Sequence, residues 1–171
     1  MKRRILLGVF GVMTAAVTQA ASISVPMSLM SLVKLPIPIG TITIKETPDG
    51  LLFTPDLKQL PSGPHGFHIH DSGNCGPGTR VKSPAMAAGG HLDPGQTLKH
   101  SGPNSRGHLG DLPLMLVSPQ GTAPEPVLAP RLTQLKQIKG RALIIHAGSD
   151  NYADTPVKYG GGGSRIACGV I

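Results

Sequence analysis

The chain has 171 residues, with 16 lysines and arginines against 9 acidic residues, and its formal net charge at neutral pH is +7. Three of the cations lie within the first four residues, so the rest of the chain carries +4 (7 − 3). This remainder has scattered cations, two Tyr, three Phe and no Trp, which argues against a nucleic-acid-binding protein and leaves a small anionic partner open.

The N-terminal sequence has the succession of cationic, apolar and small residues that is typical of a secretory signal peptide. Lys2, Arg3 and Arg4 precede an apolar run from Ile5 to about Val17, and small residues follow before position 21. A buried N-terminal strand is the alternative. We expect residues 1–20 to be a signal peptide and residues 21–171 to form one exported, periplasmic domain. Nothing later in the sequence is apolar over a membrane-spanning length.

Short alternating apolar runs predict strands, and helical periodicity is almost absent. The first clear pair is Ile39–Ile44 and Leu51–Thr54, joined by the turn residues Thr47–Gly50, which predicts a hairpin. Further strands are expected around Ser22 to Val33, Gly66 to His70, Leu114 to Val117, Ala142 to His146 and Arg165 to Val170. Strands this short indicate an all-β sandwich or barrel.

Two long segments, residues 71–113 and 147–164, are poor in strand signals. Loops of this length in a compact domain are usually functional. The glycine run at residues 160–163 lacks the Lys-Ser/Thr of a phosphate-binding loop, so we interpret it as backbone with unusual dihedral angles.

Histidines suggest a metal centre. Because side chains alternate along a strand, His68 and His70 share a face, about 7 Å apart at their Cα atoms, whereas His65 points elsewhere. One such pair is weak evidence, but further candidate ligands follow in the loops and strands: His91, His100, His108, Asp111 and His146. Coordination rich in nitrogen favours zinc and copper over calcium or magnesium.

The candidates divide into two groups. His91, His100, His108 and Asp111 are local, and four protein ligands would fill the tetrahedral shell of a structural zinc ion. His68, His70 and His146 with one loop histidine would suit copper. A zinc hydrolase is an alternative, although it needs an open zinc position and a free general base, whereas Asp111 is expected to be a ligand.

The two cysteines, Cys75 and Cys168, most simply form one disulfide in an exported chain. Zinc ligation by both is the competing interpretation, without the close spacing that zinc thiolates usually have.

Several motifs together resemble the bacterial copper,zinc superoxide dismutases. They are "GFHIH", "GGHLDP", "GHLGDLP", "APRL", "IHAGSDN" and "GGGGSRIACGVI", in matching order between about Pro26 and Ile171. The resemblance implies a Greek-key β-sandwich or flattened barrel of about eight antiparallel strands with two long functional loops. It also implies the disproportionation of superoxide to oxygen and hydrogen peroxide, which would protect the exported compartment.

The resemblance further assigns the ligands. It implies one copper and one zinc per subunit, with copper on His68, His70, His91 and His146, zinc on His91, His100, His108 and Asp111, and His91 as the bridging imidazolate. It makes Cys75 and Cys168 an intrasubunit disulfide. His65 is left as a histidine that supports the structure.

Two further residues match family positions. Arg165 corresponds to the catalytic arginine beside the copper channel, and Asp150 to an aspartate that links a copper histidine to a zinc histidine. Arg80 or Lys82 is a candidate for an additional steering cation. A noncatalytic exported copper- and zinc-binding protein on the same fold is the alternative function, and both monomer and homodimer are compatible with the sequence.

Overall fold

The computed structural model describes residues 20–80 and 82–171, and across them the chain forms nine β-strands and three short 3-10 helices. The predicted signal peptide, except for Ala20, lies outside the described residues. In the part of the chain that is described, no helix is both long and apolar enough to cross a bilayer.

Seven of the strands form one curled antiparallel sheet, in the order β5-β8-β9-β1-β2-β3-β7, and β4 pairs with β6 in a small second sheet. The strands are β1 (Ser22–Leu29), β2 (Ile37–Thr47), β3 (Gly50–Leu57), β4 (Gly63–His65), β5 (Phe67–His70), β6 (Met115–Val117), β7 (Val127–Ala129), β8 (Ala142–His146) and β9 (Arg165–Val170). The 3-10 helices span Met86–Ala88, Leu135–Gln137 and Lys158–Gly161. The all-β prediction is confirmed.

The predicted hairpin is β2 and β3, which pair from Gly40 opposite Leu57 to Thr47 opposite Gly50. The Thr47 side chain closes the turn, because its Oγ1 donates a hydrogen bond to the Gly50 carbonyl at 2.7 Å. Gly50 has a φ of +130°, which an L-residue with a side chain rarely adopts. Local chemistry therefore fixes the register of the longest strand pair.

The core lies inside the curled sheet and follows the alternation in the sequence. Val25 and Met27 of β1 are buried together with Ile42 and Ile44 of β2, while the residues between them face outward or are partly covered. The rings of Phe53 and Phe67 meet edge to face with centroids 5.7 Å apart. Met27 is thus a core residue.

The structure adds two strands that the sequence patterns do not show and shortens one. β4 and β7 have three residues each, which is too short for a period of two to be recognised. β1 ends at Leu29 rather than near Val33, because Ser31 begins a turn in which its Oγ accepts hydrogen bonds from the next exposed backbone N–H groups. The described residues thus form nine strands, where about eight are expected.

Candidate metal centre

The histidines converge because loop segments pair with the free edge of β5. Strand β5 is the last strand of the large sheet, and all four of its residues are buried. Isolated bridges join His68 to Asp111 and His70 to His91. The first long loop thus crosses β5 twice, which brings its side chains beside the histidine pair that alternation predicts.

The second strand of the site is β8, which pairs with β5 and ends at His146. The pairing of β8 with β9 shifts between Ile145 and His146, so that His146 lies opposite Arg165. Such an irregularity re-aims side chains. It places a histidine and a guanidinium side by side at the end of two neighbouring strands.

Four histidines bring ring nitrogens close to one another. His70 donates from Nδ1 to the Gly89 carbonyl at 3.0 Å, and His146 donates from Nδ1 to the Gly163 carbonyl at 3.1 Å. Their Nε2 atoms then lie 3.3 Å apart. His68, His70, His91 and His146 form one buried set whose candidate ligand atoms all lie within 4.8 Å of one another.

Asp150 links this set to the loop histidines. Its Oδ2 lies 2.8 Å from His68 Nε2, and its Oδ1 lies 2.8 Å from His100 Nε2. The remaining ring nitrogens, His68 Nδ1 and His100 Nδ1, are buried and make no well-aligned hydrogen bond among the described residues, although His100 Nδ1 lies 3.0 Å from Asp111 Oδ1. A buried unpaired nitrogen is costly, so these two atoms are oriented as metal ligands would be.

Asp111 is the centre of the second group. Its Oδ1 lies 2.8 Å from His91 Nδ1, 3.0 Å from His100 Nδ1 and 3.3 Å from His108 Nδ1. Ligands about 2.0 Å from a tetrahedral zinc ion are separated from one another by about 3.3 Å. The distances from Asp111 Oδ1 to the three nitrogens are therefore close to the separation between ligands in a zinc shell.

His68 lies close enough to compete with His108 for this second group. The four residues of this region whose ligand atoms all lie within 4.8 Å of one another are His68, His91, His100 and Asp111, without His108, and the His68 and His91 rings stack with centroids 4.0 Å apart. His68 has one nitrogen left after its bond to Asp150, so it can serve one ion only. His108 Nδ1, 3.3 Å from Asp111 Oδ1, could supply a fourth atom to this group, which would leave His68 to the group of His70 and His146.

His91, like His68, belongs to both sets of ligand atoms that lie within 4.8 Å of one another. Its Nδ1 lies 2.8 Å from Asp111, and its Nε2 is the ring's second nitrogen, on the side away from that contact. Its ring centroid lies 4.9 Å from that of His70 and 5.3 Å from that of His108. One imidazole thus stands between two sets of ligands.

Burial sets the protonation states. It is the largest cause that lowers the pKa of His68, and it also holds the pKa of His70 and His146 well below the usual histidine value. Burial and the neighbouring His68 lower the pKa of His91 to about 3. Neutral imidazole binds a metal through its unprotonated nitrogen, so no proton has to leave His68, His70 or His146, whereas His91 would have to lose its N–H proton to bind two ions.

For Asp111, Asp150 and His100, hydrogen bonds between oppositely charged groups outweigh burial and favour the charged forms. Burial opposes ionisation of Asp111 and Asp150, but hydrogen bonds from His100 and its neighbours outweigh it and hold the pKa of both carboxyls below the usual range. Burial also lowers the pKa of His100, yet its bonds to the two carboxylates raise that pKa to about 9. Without a metal, a protonated His100 holds the two aspartates together.

A cavity of about 460 Å³ opens onto this centre. His91 and His146 lie on its wall with Arg165, Lys158 and Tyr159. The Arg165 guanidinium is fixed by the carbonyls of Ala85 and Gly89, both at 2.6 Å. It is therefore a permanent positive charge held beside the exposed edge of the histidine set.

The cysteines form a disulfide between Cys75 and Cys168, 93 positions apart. Cys168 belongs to β9, and Cys75 precedes the segment whose Ala85 carbonyl holds Arg165. The disulfide prediction is confirmed, and the competing zinc-thiolate interpretation is wrong. The bond ties the cavity wall to the strand that carries the arginine.

His65 has a different role from its neighbours in sequence. Its Nδ1 lies 2.7 Å from the His146 carbonyl oxygen, and its Nε2 lies 2.8 Å from the Pro61 carbonyl oxygen. No ring nitrogen is left for a metal. The expected structural role agrees with these contacts, since His65 ties β4 to the end of β8.

Comparison with known proteins identifies the family. The family model for copper/zinc superoxide dismutase matches residues 38–171. The chain belongs to the copper/zinc superoxide dismutase family. A superoxide dismutase [Cu-Zn] from Escherichia coli K12 is 50% identical over 171 residues, covering 99% of both chains.

Solved structures agree with this family. The copper/zinc superoxide dismutase from Brucella abortus is 45% identical and superposes with a TM-score of 0.85, covering 88% of this chain and 99% of that one. The monomeric copper, zinc superoxide dismutase from Salmonella enterica is 54% identical, with a TM-score of 0.79 and the same coverage. This family binds copper and zinc, which are the two metals that the donor atoms described above suit.

Some residues around this superoxide dismutase centre were not anticipated from the sequence. Lys158 and Tyr159 line the cavity, whereas Arg80 and Lys82, the expected additional cations, do not. Arg131 donates hydrogen bonds to the carbonyls of His108 and Gly107 at 3.0 and 2.8 Å. The only sequence signal for these roles is position within or beside a long loop, which does not reveal where a side chain points.

Proposed function

We propose that this chain is a superoxide dismutase that converts two superoxide anions into oxygen and hydrogen peroxide. The single observation that carries the proposal is the pair of buried ligand groups that share His91 beside a cavity containing Arg165. A noncatalytic metal-binding protein would need neither the fixed guanidinium nor the opening to solvent. The dismutase function is therefore favoured over that alternative.

The ligand assignment follows from which nitrogens are free. We assign copper to His68 Nδ1 and to the Nε2 atoms of His70, His91 and His146. We assign zinc to the Nδ1 atoms of three histidines and to one carboxylate: His91, His100, His108 and Asp111. The hydrogen bonds at the other ring nitrogens support this choice, because each fixes the orientation of its imidazole.

Bound copper supplies one-electron chemistry, alternating between copper(II) and copper(I) as one superoxide is oxidised and a second is reduced. The protein's own residues bind the anion and handle protons. His91 can hold a proton at Nε2 while Nδ1 stays with the Asp111 group, and can release it toward the reduced substrate.

Arg165 binds and orients the substrate anion. Burial lowers the pKa of this guanidinium from its ordinary value, yet arginine remains charged throughout the physiological range. Two carbonyl bonds fix the group on the wall of the cavity. A fixed cation there raises the local concentration of superoxide and aligns it beside His146.

Asp150 acts by positioning two histidines. It accepts hydrogen bonds from His68 and His100 and also from the backbone N–H of Tyr152 at 2.7 Å. The copper and zinc groups are thus joined twice, once through His91 and once through Asp150. Loss of this carboxylate would free both rings to rotate.

We also propose that the chain is exported to the periplasm. The cationic start and apolar run of residues 1–20 support this, as does the disulfide, which persists in oxidising compartments. Periplasmic superoxide would be the substrate. The chain is proposed to act as a monomer or homodimer, and its relative from Salmonella enterica is described as monomeric.

Metal analysis combined with a dismutase assay tests the proposed function. The purified protein, loaded with both metals, should bind about one copper and one zinc per chain and remove superoxide with cyanide-sensitive activity. The matched sample is the same protein loaded with zinc alone, which should be inactive. A protein that holds both metals and has no dismutase activity would support the noncatalytic alternative and contradict the proposal.

A further inference from the structure

The loop between β1 and β2 carries a cluster of exposed apolar side chains, which we call the apolar tip. It consists of Leu32, Val33, Leu35 and Ile37, exposed by 52, 89, 86 and 45%. These side chains follow one another along the chain and have little contact with the core. Contiguous apolar exposure of this kind marks an interaction site on a protein surface.

The apolar tip has a defined conformation. The backbone N–H groups of Val33 and Lys34 both donate to Ser31 Oγ at 3.2 Å, which forms a local turn. Pro36 and Pro38 restrict the chain directly after it. Because the loop is already ordered, it loses little conformational entropy when its apolar side chains bind a partner.

The base of this loop packs against the disulfide segment. Met30, Leu32 and Pro36 line one side of a cavity of about 360 Å³, and residues 75–77 and 84–85 line the other. Met30 and Cys75 both pack against one small buried cluster, which includes Ala85 and Cys168. The apolar tip and the segment after Cys75 thus belong to one surface of the molecule.

This surface is cationic. Lys34 lies within the apolar tip, and the exposed Arg80 and Lys82 lie in the segment between the two cavity-lining stretches. The sequence has no aspartate or glutamate from residue 20 to 45 or from residue 72 to 92. Asp56, the one charged residue of the adjoining strand β3, lies opposite Thr41, and Lys58, directly after that strand, offsets its negative charge.

We propose that the apolar tip docks the protein on an anionic phospholipid surface. Side chains of Leu, Val and Ile next to lysine and arginine suit the boundary between headgroups and acyl chains, where cations meet lipid phosphates. Four side chains on one loop make a small contact compared with the roughly 800 Å² per partner of a stable protein interface. A lipid surface accepts such a contact without a complementary pocket. This inference is independent of the proposed dismutase function.

Vesicle sedimentation of the copper- and zinc-loaded protein tests this inference. We expect binding to phosphatidylcholine vesicles that contain phosphatidylglycerol, weaker binding to pure phosphatidylcholine, and release by high salt. Leu35→Ser should weaken binding about tenfold or more. Each of Lys34→Gln, Arg80→Gln and Lys82→Gln should weaken binding roughly fivefold.

Two matched variants serve as controls. Leu98 is exposed by 86%, the same as Leu35, but lies in the first long loop, so Leu98→Ser should leave vesicle binding unchanged. Lys136 is exposed near the opposite end of β2, where its neighbour Leu135 donates to Glu46, so Lys136→Gln should also have no effect. Leu35→Ser, Lys34→Gln and the two control variants should keep full dismutase activity.

Three results would overturn the proposal. The first is the absence of binding to anionic vesicles, and the second is equal loss of binding in Leu35→Ser and Leu98→Ser. The third is a dimer of the unaltered protein in sedimentation experiments that Leu35→Ser converts to monomers, when neither the unaltered protein nor Leu35→Ser binds vesicles. Dismutase activity measured in parallel distinguishes these results from a failure of the proposed function.

Discussion

Gly160 should be essential to the metal centre although it contributes no side chain. A Cβ at this position would lie 2.5 Å from Asp150 Cγ and 2.8 Å from His100 Nε2, and closer still to Asp150 Oδ1. Ordinary contacts between such atoms are about 3.5 to 4.0 Å. In Gly160→Ala, therefore, Asp150 must move away from the two groups that its Oδ1 contacts, His100 and the backbone of Tyr152.

Gly161 provides a matched control. Both glycines have left-handed backbone, with φ of +70° and +79°, but a Cβ at residue 161 would meet only Val157 Cβ, at 4.0 Å. Gly161→Ala should show the backbone cost alone, about 1 kcal/mol. Gly160→Ala carries the same cost and also loses two hydrogen bonds to a charged carboxylate, each about 1.5 to 3 kcal/mol.

The difference between the two variants is the measurable quantity. After partial relaxation we expect Gly160→Ala to be roughly 3 kcal/mol less stable than Gly161→Ala in denaturant titrations of the metal-free protein. Zinc affinity, measured by competition with a chromogenic chelator, should fall by about 10- to 100-fold in Gly160→Ala alone. Indistinguishable zinc affinity in the two variants would refute the view that Asp150 holds His100 in place.

Three more predictions concern the arginine, the disulfide and pH. Arg165→Gln should lower kcat/KM about tenfold or more and weaken the dependence of kcat/KM on ionic strength, while both metals stay bound. Arg165→Lys should keep part of the activity. An unchanged salt dependence in Arg165→Gln would contradict the role of the guanidinium. Replacing Cys75 and Cys168 together by Ser should lower the free energy of unfolding by roughly 4 to 5 kcal/mol in the chain-entropy model. Activity should also fall, because the disulfide segment holds Arg165 through the Ala85 carbonyl. An unaltered melting temperature would contradict the stabilising role of the disulfide. The metal-free protein should melt at the highest temperature near pH 6.5. Burial lowers the pKa values of the four histidines assigned to copper, so they destabilise the folded protein as the pH falls below 6.5. The pKa of His100 is raised to about 9, so its contribution to the stability of the folded protein is lost as the pH rises from 6.5 toward 9. A steady rise in melting temperature from pH 5 to pH 9 would be inconsistent with these pKa shifts.

Much of the site could be predicted because strand alternation and pairing determine where side chains point. His68 and His70 share a face for this reason, and the bounds of β8 and β9 agree with the apolar runs that predicted them. The disulfide followed from the number of cysteines and the expected oxidising compartment. In these cases a local pattern or a simple count contains the relevant information.

The loops were predictable only as functional segments. Lys158 and Tyr159 lie on the cavity wall because the chain around them takes left-handed conformations, with Tyr159 at φ +56°. Neither the periodicity nor the composition of the sequence predicts the course of the backbone through such a loop. The contact of Arg131 with the His108 carbonyl likewise depends on how two distant loops meet. Contacts of this kind appear only in three dimensions.

The central claim is that one buried imidazole, His91, joins the copper and zinc groups. Replacing zinc by cobalt(II) and recording the electron paramagnetic resonance signal of copper(II) tests it directly. If His91 bridges the two ions, the signal of the doubly loaded protein should be strongly diminished by magnetic coupling, and His91→Ala with both ions bound should restore it. A full copper signal in the unaltered protein with cobalt bound would contradict the shared ligand.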